Sequence, residues 1–325
     1  MSNEQRALKF ITADDDGHFV IGEEAAALLS KIDLPIAVVA VVGEYRTGKS
    51  YLMNLLKCDL PDEHVAAAGD HVVSDGFDVG HSAQAFTKGV WLWGEPVEVE
   101  GKNMSIVFLD TEGLGSTQAD PNYDARIFAL ALLLGSTFVY NSRGTIDGQA
   151  IDTLSLVVNL TKFIHLRANA HGNDNPNDVQ EFHDYFPSLM WVVRDCTLEL
   201  KTMGANGRSL TPRDYLNRSL EDLKGVSKEV SAMNNIRRVL RTVFPEKDCV
   251  TLVKPVSDEK KARELPSIPW SDLRDEFKRG VKRLKSKLFS AIQPKMLFGR
   301  QLNGPMLLEL SRSYVEAFNS GRAPT

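Results

Sequence analysis

The clearest pattern along the chain is a set of short apolar runs with almost no polar interruption. Residues 34–42 (LPIAVVAVV) are largely β-branched and stop at Gly43. Comparable runs recur at 104–109 (MSIVFL), 136–140 (STFVY), 189–193 (LMWVV) and 249–253 (CVTLV), each followed by a polar residue or a turn. Unbroken runs of this length suit strands buried on both faces of a parallel sheet. Helical patterns lie between them at 49–56, 124–134 and 148–167, the last with Ile151, Leu154, Val158, Leu160 and Ile164 near helical spacing. Strand then helix, repeated, predicts an α/β fold with a doubly wound, mainly parallel sheet. Residues 168–178 (ANAHGNDNPND) are dense in turn formers and predict a surface loop. Past Pro255 the chain becomes more charged. An amphipathic helix is expected over 272–292, and Asn303-Gly304-Pro305 opens a last helix over 306–318, both packing on the sheet.

Composition narrows the class. The 325 residues are 43% apolar and 25% charged, enough to bury a large core, which excludes disorder and disulfide scaffolds. Lys plus Arg is 38 against 43 Asp plus Glu; the net charge of −5 lacks the bulk positive field of a nucleic-acid binder, so none is expected as a partner. Cys58, Cys196 and Cys249 are an odd, scattered set without metal-ligand spacing, which points to a reducing, cytoplasmic setting. No apolar run approaches the roughly 18 residues needed to span a bilayer, and the polar start is not a signal peptide.

The strongest chemical signal is Gly43-Glu44-Tyr45-Arg46-Thr47-Gly48-Lys49-Ser50, a complete GxxxxGK[ST] directly after a buried strand and directly before a helix. That placement lets backbone N–H groups and the positive helix end surround phosphates, with Lys49 on the β/γ-phosphates and the Ser50 hydroxyl on Mg²⁺. Asp110-Thr111-Glu112-Gly113 follows the next strand as a DxxG, where an Asp holds the Mg²⁺ shell and a Gly N–H reaches the γ-phosphate. Between the two, Thr87 falls where a switch threonine caps Mg²⁺ and γ-phosphate, although by spacing alone it is equally an ordinary loop threonine. An [NT]KxD base motif is missing. The fourth strand ends instead in Arg194-Asp195, whose carboxylate could accept two N–H bonds from a guanine edge or simply form a strand-end ion pair.

Taken together, VVGEYRTGKSYLMNLL (41–56), TKGVWLWGEP (87–96), VFLDTEGLG (107–115), IFALALLLGSTFVYNSRGTID (127–147), MWVVRDCTLEL (190–200) and LTPRDYL (210–216) resemble the large GTPase domain of the guanylate-binding proteins in the dynamin superfamily. The strand-final Arg194-Asp195 also resembles that of the related atlastins. The resemblance to the guanylate-binding proteins spans nearly the whole chain. It implies a Mg²⁺-dependent GTPase that dimerises through its nucleotide face, with Arg46 as an arginine finger supplied in cis. By the same carry-over Gly43 through Tyr51 and Gly113 bind phosphates, Ser50, Thr87 and Asp110 form the Mg²⁺ shell, and Arg46, Lys49, Thr87 and Glu112 are catalytic. Arg194, Asp195, Val253, Lys254 and Pro255 then surround guanine, and Val79, Gly80 and His81 form a switch segment near the nucleotide. Ala85 stands where some members carry a water-positioning serine, which bears on the hydrolysis rate and on onward cleavage of GDP to GMP. The expected layout is a GTPase domain over 1–300, and over 301–325 the start of a C-terminal helical region whose remainder is absent. Two alternatives are a nucleotide-gated assembly module with weak hydrolysis and an atlastin-like membrane-fusion GTPase, which would add membrane association in a longer protein. The basic stretch of 278–287 reads as a solvated helix face.

Overall fold

The computed structural model describes residues 6–58, 76–77, 89–98, 101–114, 121–155, 186–201 and 207–321. Five parallel strands occupy the places that the apolar runs predict: β3 (Ile36–Val42), β6 (Ser105–Thr111), β7 (Thr137–Arg143), β8 (Ser188–Arg194) and β9 (Lys247–Thr251). Their order in the sheet is β6-β3-β7-β8-β9, so the chain passes from β3 to one neighbour and later returns to the other. In open α/β sheets such a reversal leaves a ligand crevice outside the carboxyl ends of the strands. Every residue of β3 is buried, and its side chains alternate between two cores, Val38, Ala40 and Val42 on one face and Ala37, Val39 and Val41 on the other.

The sheet continues past β6 in antiparallel fashion through β4 (Val90–Trp93), β1 (Ala7–Ala13) and β2 (Phe19–Ile21), with the short β5 (Val97–Glu98) also on β6. A shift in register between Lys9 and Ile11 interrupts the alternation of β1, which is why its pattern is faint in the sequence. The helices around the sheet are α1 (Glu23–Leu29), α2 (Lys49–Lys57), α3 (Pro121–Leu134), α4 (Gly148–Thr153), α5 (Pro212–Ser219), α6 (Lys228–Val243), α7 (Glu259–Ala262), α8 (Asp275–Ala291) and α9 (Gly304–Asn319). The helix expected over 148–167 is interrupted early, α4 ending at Thr153 with Leu154 as its C-cap; residues 156–167 and the loop expected over 168–178 lie outside the described residues.

The two ends of the chain share one core. Leu302, Leu307, Leu308, Leu310, Tyr314 and Val315 join the cluster containing Phe10, Phe19 and Leu29. The Asn319 amide also brackets the Phe19 backbone, accepting from its N–H and donating to its carbonyl at 2.8 Å each. Residues 304–319 thus pack as part of the sheet domain's own core. Among the described residues no helix is long and apolar enough to cross a membrane.

Candidate functional site

The described residues among those singled out from sequence converge at the carboxyl edge of the parallel strands. β3 delivers Gly43, β6 delivers Asp110, β7 delivers Asn141 and Arg143, β8 delivers Arg194 and Asp195, and 253–255 follow β9. Gly43 has no room for a side chain, since a Cβ there would lie 2.1 Å from the Asn141 carbonyl oxygen. Gly48 ends the loop at φ +75° and serves as the N-cap of α2 with no side-chain cap. The first N–H groups of that helix therefore lack an internal side-chain acceptor and present a positive helix end to an anion.

Carbonyl groups of the loop are bound by side chains from around it. Asn141 Nδ2 donates to the Thr47 carbonyl at 3.0 Å and to its hydroxyl at 2.8 Å, and that hydroxyl donates to the Glu44 carbonyl at 2.8 Å. Arg143 Nη2 donates to the Arg46 carbonyl at 3.0 Å, Arg194 Nη1 to the Gly48 carbonyl at 3.1 Å, and Lys49 Nζ to the Glu44 carbonyl at 3.1 Å. Fixing the carbonyls fixes the peptide planes, and with them the direction of the N–H groups that would meet phosphate. Lys49 is buried, and that burial lowers its ammonium pKa while Asp110, Glu112, Asp124 and Glu44 oppose the shift.

Ser50 Oγ donates to Asp110 Oδ2 at 2.6 Å. Burial pushes the Asp110 carboxyl up to about 6, against the Lys49 charge and the hydrogen bonds from Ser50 and the Thr111 amide. A hydroxyl and a carboxylate side by side, both hard oxygen donors at the mouth of a phosphate-type loop, fit the few protein ligands that Mg²⁺ takes alongside water and phosphate oxygens. Gly113 lies against the same loop: an added Cβ would sit 2.4 Å from Tyr45 Cα and 3.0 Å from Lys49 Nζ. Leu114 and Tyr45 lock the two segments, with Tyr45 N–H donating to the Leu114 carbonyl and Leu114 N–H to the Gly43 carbonyl. Glu112 is buried, exchanges backbone and side-chain hydrogen bonds with Gly89, and holds the Tyr123 hydroxyl, whose pKa is raised by burial first and by Glu112 next.

Arg46 is exposed at φ +61°, with its guanidinium 5.2 Å from the Tyr45 ring centroid. Arg194 and Asp195, adjacent in sequence, part company in space. The Arg194 guanidinium is buried beneath Gly48 and over the Phe277 ring, and burial lowers its pKa. The Asp195 carboxylate stays partly exposed at the edge, 3.4 Å from Arg143 Nε, on a backbone at φ +54°. Among the described residues the buried Tyr51 hydroxyl and Arg194 Nε have no hydrogen-bond partner, and desolvation pushes the Tyr51 phenol up to about 12. Leu252 pairs with Val193 and Cys196, which brings 253–255 beside the Asp195 turn; there Lys254 is exposed and Pro255 buried. Thr87 and the segment Val79, Gly80 and His81 lie outside the described residues, as does Ala85.

Asn141, Arg143 and Tyr123 are site residues that pattern reading missed. The available signal was the polar tail Asn141-Ser142-Arg143 directly after an apolar run, at the end of a strand whose neighbours carry the motifs.

Comparison with known proteins agrees with this geometry. The family model described as "Guanylate-binding protein, N-terminal domain" matches residues 16–297. The chain is 41% identical to guanylate-binding protein 1 of Homo sapiens over 312 residues, covering 95% of this chain and 50% of that protein. It is 38% identical to guanylate-binding protein 5 of Mus musculus over 312 residues, with the same coverage. It is also 37% identical to guanylate-binding protein 7 of Homo sapiens over 316 residues, covering 97% of this chain and 47% of that protein. The chain spans about half the length of these curated relatives. With a matched phosphate loop, a DxxG locked against it and a family model covering most of its length, the chain belongs to the guanylate-binding protein family.

Proposed function

We propose that this domain binds GTP with Mg²⁺, hydrolyses it to GDP and phosphate, and pairs with a second copy through its nucleotide face. The observation that carries the proposal is the phosphate loop itself, with its carbonyls held by Asn141, Arg143, Arg194 and Lys49 and with Lys49, Ser50 and Asp110 at its mouth. Backbone N–H groups of Glu44 and of Arg46 through Tyr51, with that of Gly113, donate to the phosphate oxygens, while the Tyr45 N–H stays with the Leu114 carbonyl. The Lys49 ammonium, already desolvated, meets the β/γ-phosphates at full electrostatic strength. Ser50 and Asp110, with Thr87, hold Mg²⁺, which when bound draws charge from the phosphate oxygens. Asp195 accepts from the guanine edge, and 253–255 close over the base.

Water attacks the γ-phosphorus in line, the bond to the β-phosphate oxygen breaks, and charge develops on the transferred group. Arg46 supplies the neutralising finger from an exposed, left-handed loop position that the second copy can press inward. Such a finger is worth about 10³–10⁵ in rate, or roughly 4–7 kcal/mol. Thr87 and Glu112 complete the proposed catalytic set, Thr87 by orienting the water. We place the protein in a reducing, cytoplasmic setting, in keeping with its free cysteines.

The test is GTP turnover per molecule across a wide range of protein concentration, with GDP and GMP separated, for wild type and Arg46→Ala. Specific activity is expected to rise with concentration and to fall by about 10³ or more in the variant. Flat, near-zero turnover indifferent to Arg46 would leave a GTP-binding assembly module in place of the enzyme.

A further inference from the structure

Three described residues other than glycine adopt positive φ: Arg46, Asp195 and Phe298. The first two, far apart in sequence and on different strand ends, are joined by one side chain. Arg143, the last residue of β7, donates from Nη2 to the Arg46 carbonyl at 3.0 Å and places Nε 3.4 Å from Asp195 Oδ2. Its own backbone is fixed from both sides, since Arg143 pairs with Arg194 in the sheet and Gly144 N–H donates to the Arg194 carbonyl at 2.7 Å. A left-handed backbone at a non-glycine residue persists only where its surroundings hold it. Here one guanidinium donates to the carbonyl of one such residue and stands at ion-pair distance from the carboxylate of the other.

We propose that Arg143 is a positioning residue that couples base recognition to the finger loop. The inference rests on the reading of Asp195 as the guanine acceptor and Arg46 as the finger. A carboxylate that must accept two parallel N–H bonds from a base edge needs a set orientation, and a planar guanidinium beside one of its oxygens supplies it. The same fork holds the peptide plane that follows Arg46, and therefore the direction in which that side chain leaves the loop. A base that engages Asp195 thus stabilises the arrangement that also aims Arg46, whereas a base that engages it poorly leaves Arg143 free to release both. Lysine cannot replace this function, because a point-charge ammonium does not hold two acceptors in a fixed plane.

The test pairs Arg143→Met and Arg143→Lys with wild type and Asp195→Asn, all checked for unchanged melting. Calorimetry measures GDP and IDP binding, since IDP keeps the ring N–H of the base edge and lacks the exocyclic amine, and single-turnover assays measure hydrolysis of bound GTP. Both Arg143 variants are expected to lose about tenfold in GDP affinity and much less in IDP affinity, so that discrimination between the bases shrinks. Turnover of bound GTP is expected to fall in the same variants. A residue that only props the fold would weaken both nucleotides alike. If Asp195→Asn loses guanine preference while both Arg143 variants keep the wild-type GDP/IDP ratio and turnover, the coupling is overturned and base reading stands. If Asp195→Asn itself keeps guanine preference, the base reading falls and the coupling falls with it.

Discussion

At the scale of single residues, the site depends on two kinds of fixed geometry, absent side chains and tied carbonyls. Gly113 illustrates the first. Its φ lies outside the left-handed region, so its identity is dictated by approach rather than by backbone freedom: a Cβ would meet the Tyr45 backbone at 2.4 Å. Gly113→Ala must push the DxxG segment off the phosphate loop and break the Tyr45–Leu114 pairing. It is expected to weaken triphosphate binding at least tenfold while leaving the melting temperature of the free domain within a few degrees, as calorimetric titration and thermal melts would show. The second kind is exemplified by Asn141, fully buried, whose amide nitrogen donates to both the carbonyl and the hydroxyl oxygen of Thr47. The motif residues around these were legible because phosphate chemistry requires their type and spacing. Asn141 and Arg143 were not, because an amide or guanidinium that serves a carbonyl can come from any strand brought alongside.

At the scale of elements, the parallel strands follow the apolar runs within a few residues, since a strand buried on both faces has no freedom to alternate. α3 begins at Pro121, ahead of the expected start at residue 124, and α9 begins at Gly304, ahead of residue 306. In α9 the reason is a cap: Asn303 Oδ1 accepts from the Met306 N–H at 3.1 Å, with Pro305 in the first turn. Asn303→Ala should cost about 1 kcal/mol of stability, seen as a lower denaturant midpoint at unchanged slope. α6 escaped the sequence reading because two of its buried positions are polar. Asn234 brackets the Leu223 backbone, and Arg237 donates to the Met233 carbonyl, so neither interrupts the helix although both interrupt its apolar stripe.

At the scale of the whole molecule, a single sheet separates two cores, and the nucleotide-type site sits at one edge while the end of the described chain is anchored at the other. The Ile36 N–H at the start of β3 donates to the Leu302 carbonyl, and Gly304 N–H donates to the Ile32 carbonyl, so α9 enters the fold at the opposite end of β3 from Gly43. Leu307→Ala should therefore cost about 2–5 kcal/mol in a global unfolding transition, by equilibrium denaturation, and leave nucleotide affinity of the folded domain unchanged. Residues 304–319, within the span expected as the start of a C-terminal helical region, bury Leu307, Leu308, Leu310, Tyr314 and Val315 in the first core, in line with a last helix packing on the sheet. The sequence alone determined the five parallel strands and the helices with a clear apolar stripe, the phosphate loop, the DxxG and the family resemblance, because each rests on local periodicity or on residue types that one chemistry demands. Only the tertiary structure decided that Arg194 turns beneath Gly48 while Asp195 stays at the edge, that Arg143 reaches both Asp195 and Arg46, and that α9 closes the first core. Those are choices of direction and contact between distant segments, and they are fixed by the order of strands in the sheet rather than by any pattern along the chain.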